Sequence, residues 1–326
     1  MIDIYINGIG TALGSLREQN DAQTLGQAEA DCRRIVAKTG ITSRPVAAAH
    51  EYSSDLACMA ADALLKETGT AASDMGALLV CTQTPDHLIP GVSSRVHGRL
   101  GFPKSCFVLD INQGCSGFVV GAQVITNWLR VSGDSGILIN ADTYSKLVRP
   151  NDLTTRVIFG DAAAATMFST RRSGLRVIHC RSFADGSGYD AFVARGSALH
   201  TDQNYQPGIY MDGPGILNFA LRAVPDAIAQ TLNDVGRSLS DIRMVLFHQA
   251  NSFIVGQLAR KLKLAEEQTP CNCSTLGNTV SASIPLLLKE QMDQLLPGDL
   301  VLTVGFGVGL SWGVALLERV PDMMDE

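Results

Sequence analysis

The feature that most restricts how this chain can fold is an internal echo at long range. Residues 55–81 read as an amphipathic helix, a Gly-containing turn, Ser-Asp and an apolar strand, and residues 222–248 repeat that order. Gly69 matches Gly236, Ser73 matches Ser240 and Asp74 matches Asp241, each pair 167 positions apart. Downstream, Asp110–Gly117 (DINQGCSG) opens a helical stretch from Phe118 to Arg130, as Thr275–Val280 (TLGNTV) opens one from Ser281 to Leu296. Gly133-Asp134 then precedes the strand-like GILIN, as Gly298-Asp299 precedes LVLTV. The period is too long for a solenoid. It predicts two related α/β halves, 1–169 and 170–326, with strands and helices alternating into mixed or mostly parallel sheets under helical cover. Two unrelated units with a shared grammar are the alternative, and three identities in phase favour duplication. No low-complexity linker separates the halves, so they are expected to pack as one body.

The bulk properties narrow the function classes. With 326 residues the chain can bury a substantial core, and 46% hydrophobic with 18% charged residues is a globular balance. A net charge of −6 gives no electrostatic footprint for nucleic acid or an anionic membrane. Met1–Gly10 alternates like a strand and lacks the basic and apolar regions of a secretory signal. No apolar run approaches the ~20 residues of a membrane span. A cytoplasmic protein is expected. The cysteines are Cys32, Cys58, Cys81, Cys106, Cys115, Cys180, Cys271 and Cys273, with no CxxC pair. Cys271 and Cys273 have no second pair at metal-ligand spacing, so no metal is expected. In a reducing compartment most such thiols are small buried hydrophobes.

Cys115 differs by its setting. It lies in Asn112-Gln113-Gly114-Cys115-Ser116-Gly117, between the strand-like Cys106–Ile111 and the helix from Phe118. Such a turn puts the sulfur at a helix N-terminus, where the dipole and free N–H groups favour a thiolate. Small neighbours admit a substrate carbonyl, and the N–H of Cys115 can face a developing oxyanion. A lone cysteine is more often structural, and the turn argues against that here. His248 ends the strand Met244–Phe247, at the end where open α/β sheets hold their ligands. A hydrogen-bonded structural histidine is the competing reading. Asn278 occupies the position that echoes Cys115; alone it would be a helix N-cap. The pseudo-symmetry sets the two helix starts face to face, one with a nucleophile and one with polar groups. Gly305-Phe306-Gly307-Val308-Gly309 permits close backbone approach and a second oxyanion donor, which is compatible with a hairpin before Leu310–Glu318. It lacks the pattern of a phosphate loop.

These residues resemble the β-ketoacyl-acyl-carrier-protein synthase III family of the thiolase superfamily. The landmarks are Lys38-Thr39-Gly40-Ile41 with Arg44, Ser53-Ser54-Asp55-Leu56, Cys115-Ser116-Gly117, Phe159-Gly160-Asp161, His248-Gln249-Ala250-Asn251, Gly277-Asn278-Thr279 and Ser311-Trp312-Gly313, in order over essentially the whole chain. The resemblance implies a duplicated αβαβα five-layer thiolase-like fold, a homodimer, and a Cys115–His248–Asn278 triad without metal or redox cofactor. It implies an acyl-enzyme on Cys115 drawn from acyl-CoA or an acyl carrier protein, then decarboxylative condensation with a malonyl thioester. His248 and Asn278 would hold the enolate oxygen, and the N–H groups of Cys115 and Val308 the oxyanion.

Several positions depart from the housekeeping members. Arg34 stands where an aromatic usually stacks on the CoA adenine, Leu153 follows Asp152 where an arginine is usual, and Phe253 replaces a basic residue. Gly114 replaces the usual alanine before the nucleophile, and Val308 occupies the centre of the glycine loop. Arg34 and Lys38, with Arg33, offer a basic patch instead, and Ile89 takes a position near the partner's acyl pocket. The pattern implies intact chemistry and altered carrier recognition, as in a specialised fatty-acid or polyketide-like pathway. Two alternatives remain: an acyltransferase of the same fold serving an O, N or S acceptor, and a non-catalytic subunit of a heterodimer. Asn278 favours condensation, because enolate stabilisation needs two donors whereas simple acyl transfer can use His248 alone as base; a silent subunit would be expected to lack Cys115 or His248.

Overall fold

The computed structural model describes residues 2–149, 151–200 and 204–321. Nine strands form the main sheet: β1 (Tyr5–Leu13), β2 (Ala77–Cys81), β3 (Phe107–Ile111), β4 (Gly136–Asp142), β5 (Ala162–Ser169), β6 (Leu175–Ala184), β7 (Ile242–Phe247), β8 (Leu300–Gly307) and β9 (Ser311–Arg319). Their order is β7-β8-β9-β6-β1-β5-β4-β2-β3. The run β2-β4-β5-β1 on one side has its counterpart in β7-β8-β9-β6 on the other, and β3 adds an edge strand. β2 pairs in parallel with β3 and β4, as β7 does with β8, while the remaining neighbours are antiparallel. The sheet is therefore mixed. The strand expected from Met1 begins at Tyr5, and Met1 lies outside the described residues.

Between β1 and β6 the ladder is only Tyr5 opposite Arg176 and Ile6 opposite Leu175. The two sides of the sheet are joined instead by helices. Helix α1 (Ser53–Thr68) covers one outer face, and α3 (Gly213–Asp234) the other. Helices α2 (Gly117–Ser132) and α4 (Ser283–Gln291) lie between them in a shared apolar core. Phe118, Val119, Ile125 and Leu129 of α2 meet Leu79 and Leu138 from one side and Val177, Val301 and Leu317 from the other. Five layers result, with two helices inside. Each fully buried Leu, Ile or Phe contributes about 1.5–3 kcal/mol, so this layer fixes the N-termini of α2 and α4 firmly.

Small residues set the spacing. Ala162 and Ala164 of β5 face the inner helices while Ala163 and Ala165 face α1, the period-two alternation of a strand buried on both sides. A side chain on Gly10 of β1 would come within 2.2 Å of the Ala60 carbonyl of α1, so only glycine permits that approach. The echoed Gly69 and Gly236 adopt left-handed φ of 63° and 64° at the ends of α1 and α3, as glycine after a helix does.

Candidate active site

Cys115 sits in the turn after β3, one residue before Ser116, which caps α2. The Gly117 N–H donates to the Gly114 carbonyl at 2.8 Å and closes the turn. The Ser116 and Ser311 hydroxyls meet at 2.8 Å and tie it to β9. β8 passes directly behind the thiol: a Cβ on Gly307 would lie 2.8 Å from Cys115 Cβ and 2.9 Å from Sγ. Cys115 is only 4% exposed. The sequence favours a thiolate at this helix start, and the structure corrects that for the resting state. Burial pushes the thiol up to about 12, the Asp142 carboxylate adds to the effect, and the N–H groups of Val308 and Cys115 work against it. Cys180 is pushed equally far by burial, so what distinguishes Cys115 is the pair of backbone donors rather than acidity.

His248 follows β7, its N–H donating to the Val304 carbonyl of β8 at 2.8 Å. The ring is 1% exposed and lies edge-on to Phe306, centroids 5.6 Å apart. Burial pushes it down to about 3, opposed by the nearby Val280 carbonyl, so the imidazole is neutral. Its Nδ1 meets Ser283 Oγ at 2.7 Å. Asn278 is anchored to the other side of the sheet: its N–H donates to the Ile158 carbonyl at 2.8 Å and its carbonyl accepts from Gly160 at 3.0 Å. Asn278 Oδ1 accepts the Val280 N–H at 2.9 Å, which leaves Nδ2, the donor end, for a ligand. The two helix starts meet here, since a Cβ on Gly117 would lie 3.1 Å from Ser281 Cβ. Cys115 and His248 both border β8, and Asn278 is linked to His248 through Val280 and Ser283.

Asp142 has no counterpart in the sequence reading. It ends β4 fully buried and accepts from Ser281 Oγ at 2.6 Å and from the Gln83 N–H at 2.8 Å. Burial pushes its carboxyl up to about 7 against those hydrogen bonds. Ser283 and Phe306 were also missed as partners of His248. An acidic residue closing an apolar strand was the available signal for Asp142; for Ser283 there was none.

Val308 begins the turn between β8 and β9, the hairpin expected after the glycine loop. A Cβ on Gly114 would fall 2.5 Å from both Val308 Cγ1 and Gln83 Oε1. Val308 and Gln83 together fill the space that an alanine methyl at position 114 would occupy.

The remaining residues are spread over the surface near and away from this point. Arg34 and Lys38 lie on the Glu29–Thr39 helix, both exposed, with Arg34 paired to Asp31 at 2.5 Å. That helix ends against the one bearing Phe253, Ser252–Leu262, where Ser252 Oγ donates to the Thr39 carbonyl at 3.0 Å. Leu153 is half-buried at the start of the Leu153–Arg156 helix. Arg149 nearby is held by Asp152 at 2.6 Å and by the Tyr210 ring, so its charge is already committed. Ile89 is 85% exposed in the loop before Val92–Leu100. Cys271 and Cys273 approach to 3.1 Å, and no group of three or more possible metal ligands occurs among the described residues. No helix there is long and apolar enough to cross a membrane.

Comparison with known proteins follows the same lines. Residues 109–186 match the model of 3-oxoacyl-[acyl-carrier-protein] synthase III, and residues 232–319 that of its C-terminal region. The chain is 35% identical to β-ketoacyl-[acyl-carrier-protein] synthase III of Streptococcus sanguinis over 87% of this chain and 89% of that one. It is 31% identical to the Neisseria meningitidis protein of the same name over 96% and 98%. Among solved structures, a 3-oxoacyl-(acyl-carrier protein) synthase from Burkholderia xenovorans superposes with a TM-score of 0.92 at 32% identity, covering 98% of this chain and 95% of that one. A priming β-ketosynthase of the R1128 polyketide pathway, at 23% identity and a TM-score of 0.86, shares the fold.

Proposed function

Because the chain belongs to the 3-oxoacyl-[acyl-carrier-protein] synthase III family of condensing enzymes, we propose that Cys115 carries an acyl group and condenses it with a malonyl thioester. The observation that supports this most is a buried thiol and a neutral imidazole bordering the same strand, with an oriented amide linked to that imidazole through Val280 and Ser283. Cys115 Sγ attacks the thioester carbonyl of the donor, and the carrier thiol leaves. The malonyl thioester then loses carbon dioxide. Asn278 Nδ2 and His248 donate hydrogen bonds to the enolate oxygen. The enolate carbon attacks the acyl-enzyme, whose oxyanion is held by the N–H groups of Cys115 and Val308. The reaction class is acyl transfer with carbon–carbon bond formation.

The same reading extends to the partners. Acyl-CoA or an acyl carrier protein is the donor, reaching the site past Arg34, Lys38, Leu153 and Phe253. The exposed Ile89 supports a homodimer in which it meets the partner's acyl pocket. The boundary of the two related halves falls between β5 and β6. Free cysteines throughout support a cytoplasmic location.

Intact-protein mass spectrometry with a panel of acyl-CoA and acyl-carrier-protein donors tests the assignment. Wild type gains one acyl mass and releases carbon dioxide once malonyl-carrier protein is added, while Cys115→Ala gains nothing. An acyl mass on Cys115→Ala removes the nucleophile assignment. Acylation without carbon dioxide release points instead to an O, N or S acceptor.

A further inference from the structure

Cys271 and Cys273 take no part in the chemistry of Cys115, yet their sulfurs stand 3.1 Å apart. A disulfide needs about 2.05 Å between sulfurs, so a movement of roughly 1 Å would join them. The two thiols differ in setting. Cys271 is exposed, whereas Cys273 is fully buried at the start of the short Cys273–Leu276 helix. The buried one is held in place: its carbonyl accepts the Gly277 N–H at 2.9 Å, and the next carbonyl, of Ser274, accepts the Thr42 N–H at 2.8 Å. Asn272 between them is held as well, its N–H donating to Gln249 Oε1 at 3.1 Å and its Nδ2 to Glu290 Oε2 at 3.0 Å. Closure therefore falls to the exposed Cys271 side chain. Water reaches Cys271 and not Cys273, so negative charge costs less on Cys271 and the shared proton settles on Cys273. The Cys273 S–H, donated toward the Cys271 sulfur, brings that thiol down to about 7, opposed by burial and helped by the Cys273 N–H. The same contact, with burial, pushes Cys273 up. An accessible thiolate beside a second thiol is the arrangement that exchanges with disulfides. Cys115, 4% exposed and pushed up to about 12, is the opposite case.

We propose that Cys271 and Cys273 form a reversible redox site whose substrate is a small-molecule disulfide, with Cys271 as the attacking thiol and Cys273 as the resolving one. The Cys271 thiolate, its proton already in solvent, attacks one sulfur of the disulfide. The S–S bond breaks, one small thiolate leaves and takes a proton from solvent, and Cys271 carries the other half as a mixed disulfide. Cys273 then gives its proton to solvent and attacks the Cys271 sulfur. The second small thiolate leaves and is protonated in turn. Two protein thiols are oxidised to one disulfide, and one small disulfide is reduced to two thiols. An excess of small thiol runs the sequence backward, so in a reducing compartment the pair rests open and closes only transiently. The site is independent of the function proposed for Cys115 and holds whatever acceptor the acyl group meets.

The test exposes the whole protein to glutathione disulfide, alkylates the remaining thiols in denaturant and maps the peptides by mass. Cys271 and Cys273 are the two cysteines between Lys263 and Lys289, so one tryptic fragment reports on both. In wild type that fragment should lose both alkyl groups and regain them after dithiothreitol, while Cys115 keeps its own. Cys273→Ser should stop with glutathione attached to Cys271, and Cys271→Ser should keep its remaining thiol free. Both alkyl groups retained on the wild-type fragment overturns the proposal. So does a wild-type mixed disulfide that never resolves, or modification of Cys115 ahead of the pair. Should Cys273→Ser fail to fold, wild type and the exposed-site variant Cys271→Ser decide. Glutathione attached to Cys273 in that variant as fast as wild type reacts would overturn the assigned order of attack.

Discussion

Each residue around the thiol is set by what it can give or receive. Asn278 has its oxygen occupied by Val280, so Asn278→Ala removes one oriented donor and little packing. It should still form acyl-enzyme yet lose about 10²–10³-fold in malonyl decarboxylation, the effect of deleting one oxyanion donor. Equal loss of both half-reactions would assign Asn278 a structural role. Asp142 makes a prediction of opposite kind. Its folded-state carboxyl titrates near 7, above the ordinary carboxylate range, so folding favours the neutral acid. The stability it contributes is full below about pH 4 and declines as pH rises through 7, by at most about 1.4 kcal/mol per unit. Asp142→Asn lacks that decline, so denaturant titrations should show its stability relative to wild type rising between about pH 4 and pH 8. A constant difference across that range would mean the carboxyl ionises normally. The places of Cys115, His248 and Asn278 in the fold were legible because each follows a strand or precedes a helix within its own motif. Asp142 and Ser283 were not, because their meaning lies in contacts across 139 and 35 residues.

Among the elements, the β8–β9 hairpin and the nucleophile turn form a matched pair. Gly114→Ala should clash with Val308 and Gln83 and displace the turn, lowering the acylation rate, whereas Gly114→Ala with Val308→Gly should recover part of it. A double-mutant cycle on that rate measures the coupling. Additive losses would mean that the turn yields elsewhere. Local patterns gave β7, β8, α1 and α2 in the sequence because apolar runs and glycine stops mark them. β5 carried no such mark. Its alanine run is helix-prone by intrinsic preference, and it becomes a central strand because helices on both faces leave room only for methyl groups.

For the whole molecule, the echo of 167 residues carried more than any motif, since it set the matching strand orders on the two sides. What it did not carry is the outer surface, where Arg34, Leu153 and Phe253 stand at the positions proposed to meet the donor. With less to hold an adenine ring, acylation by acyl-CoA should exceed that by acyl-pantetheine only modestly, and a carrier-protein donor should be competent. Several-hundred-fold preference for acyl-CoA with an inert carrier protein would show that adenine recognition persists. Light scattering at micromolar concentration should give a dimer; a monomer would remove Ile89 from any acyl pocket. The placement of α2 between the two sides has a consequence for synthesis. One flank of that helix packs on β2 and β4, which leave the ribosome early, and the other on β6, β8 and β9, of which the last ends at Arg319. At 5–20 residues per second a nascent chain therefore holds an apolar helix flank uncovered for roughly 10–40 s. Chaperone capture should peak in that interval and end when β9 emerges.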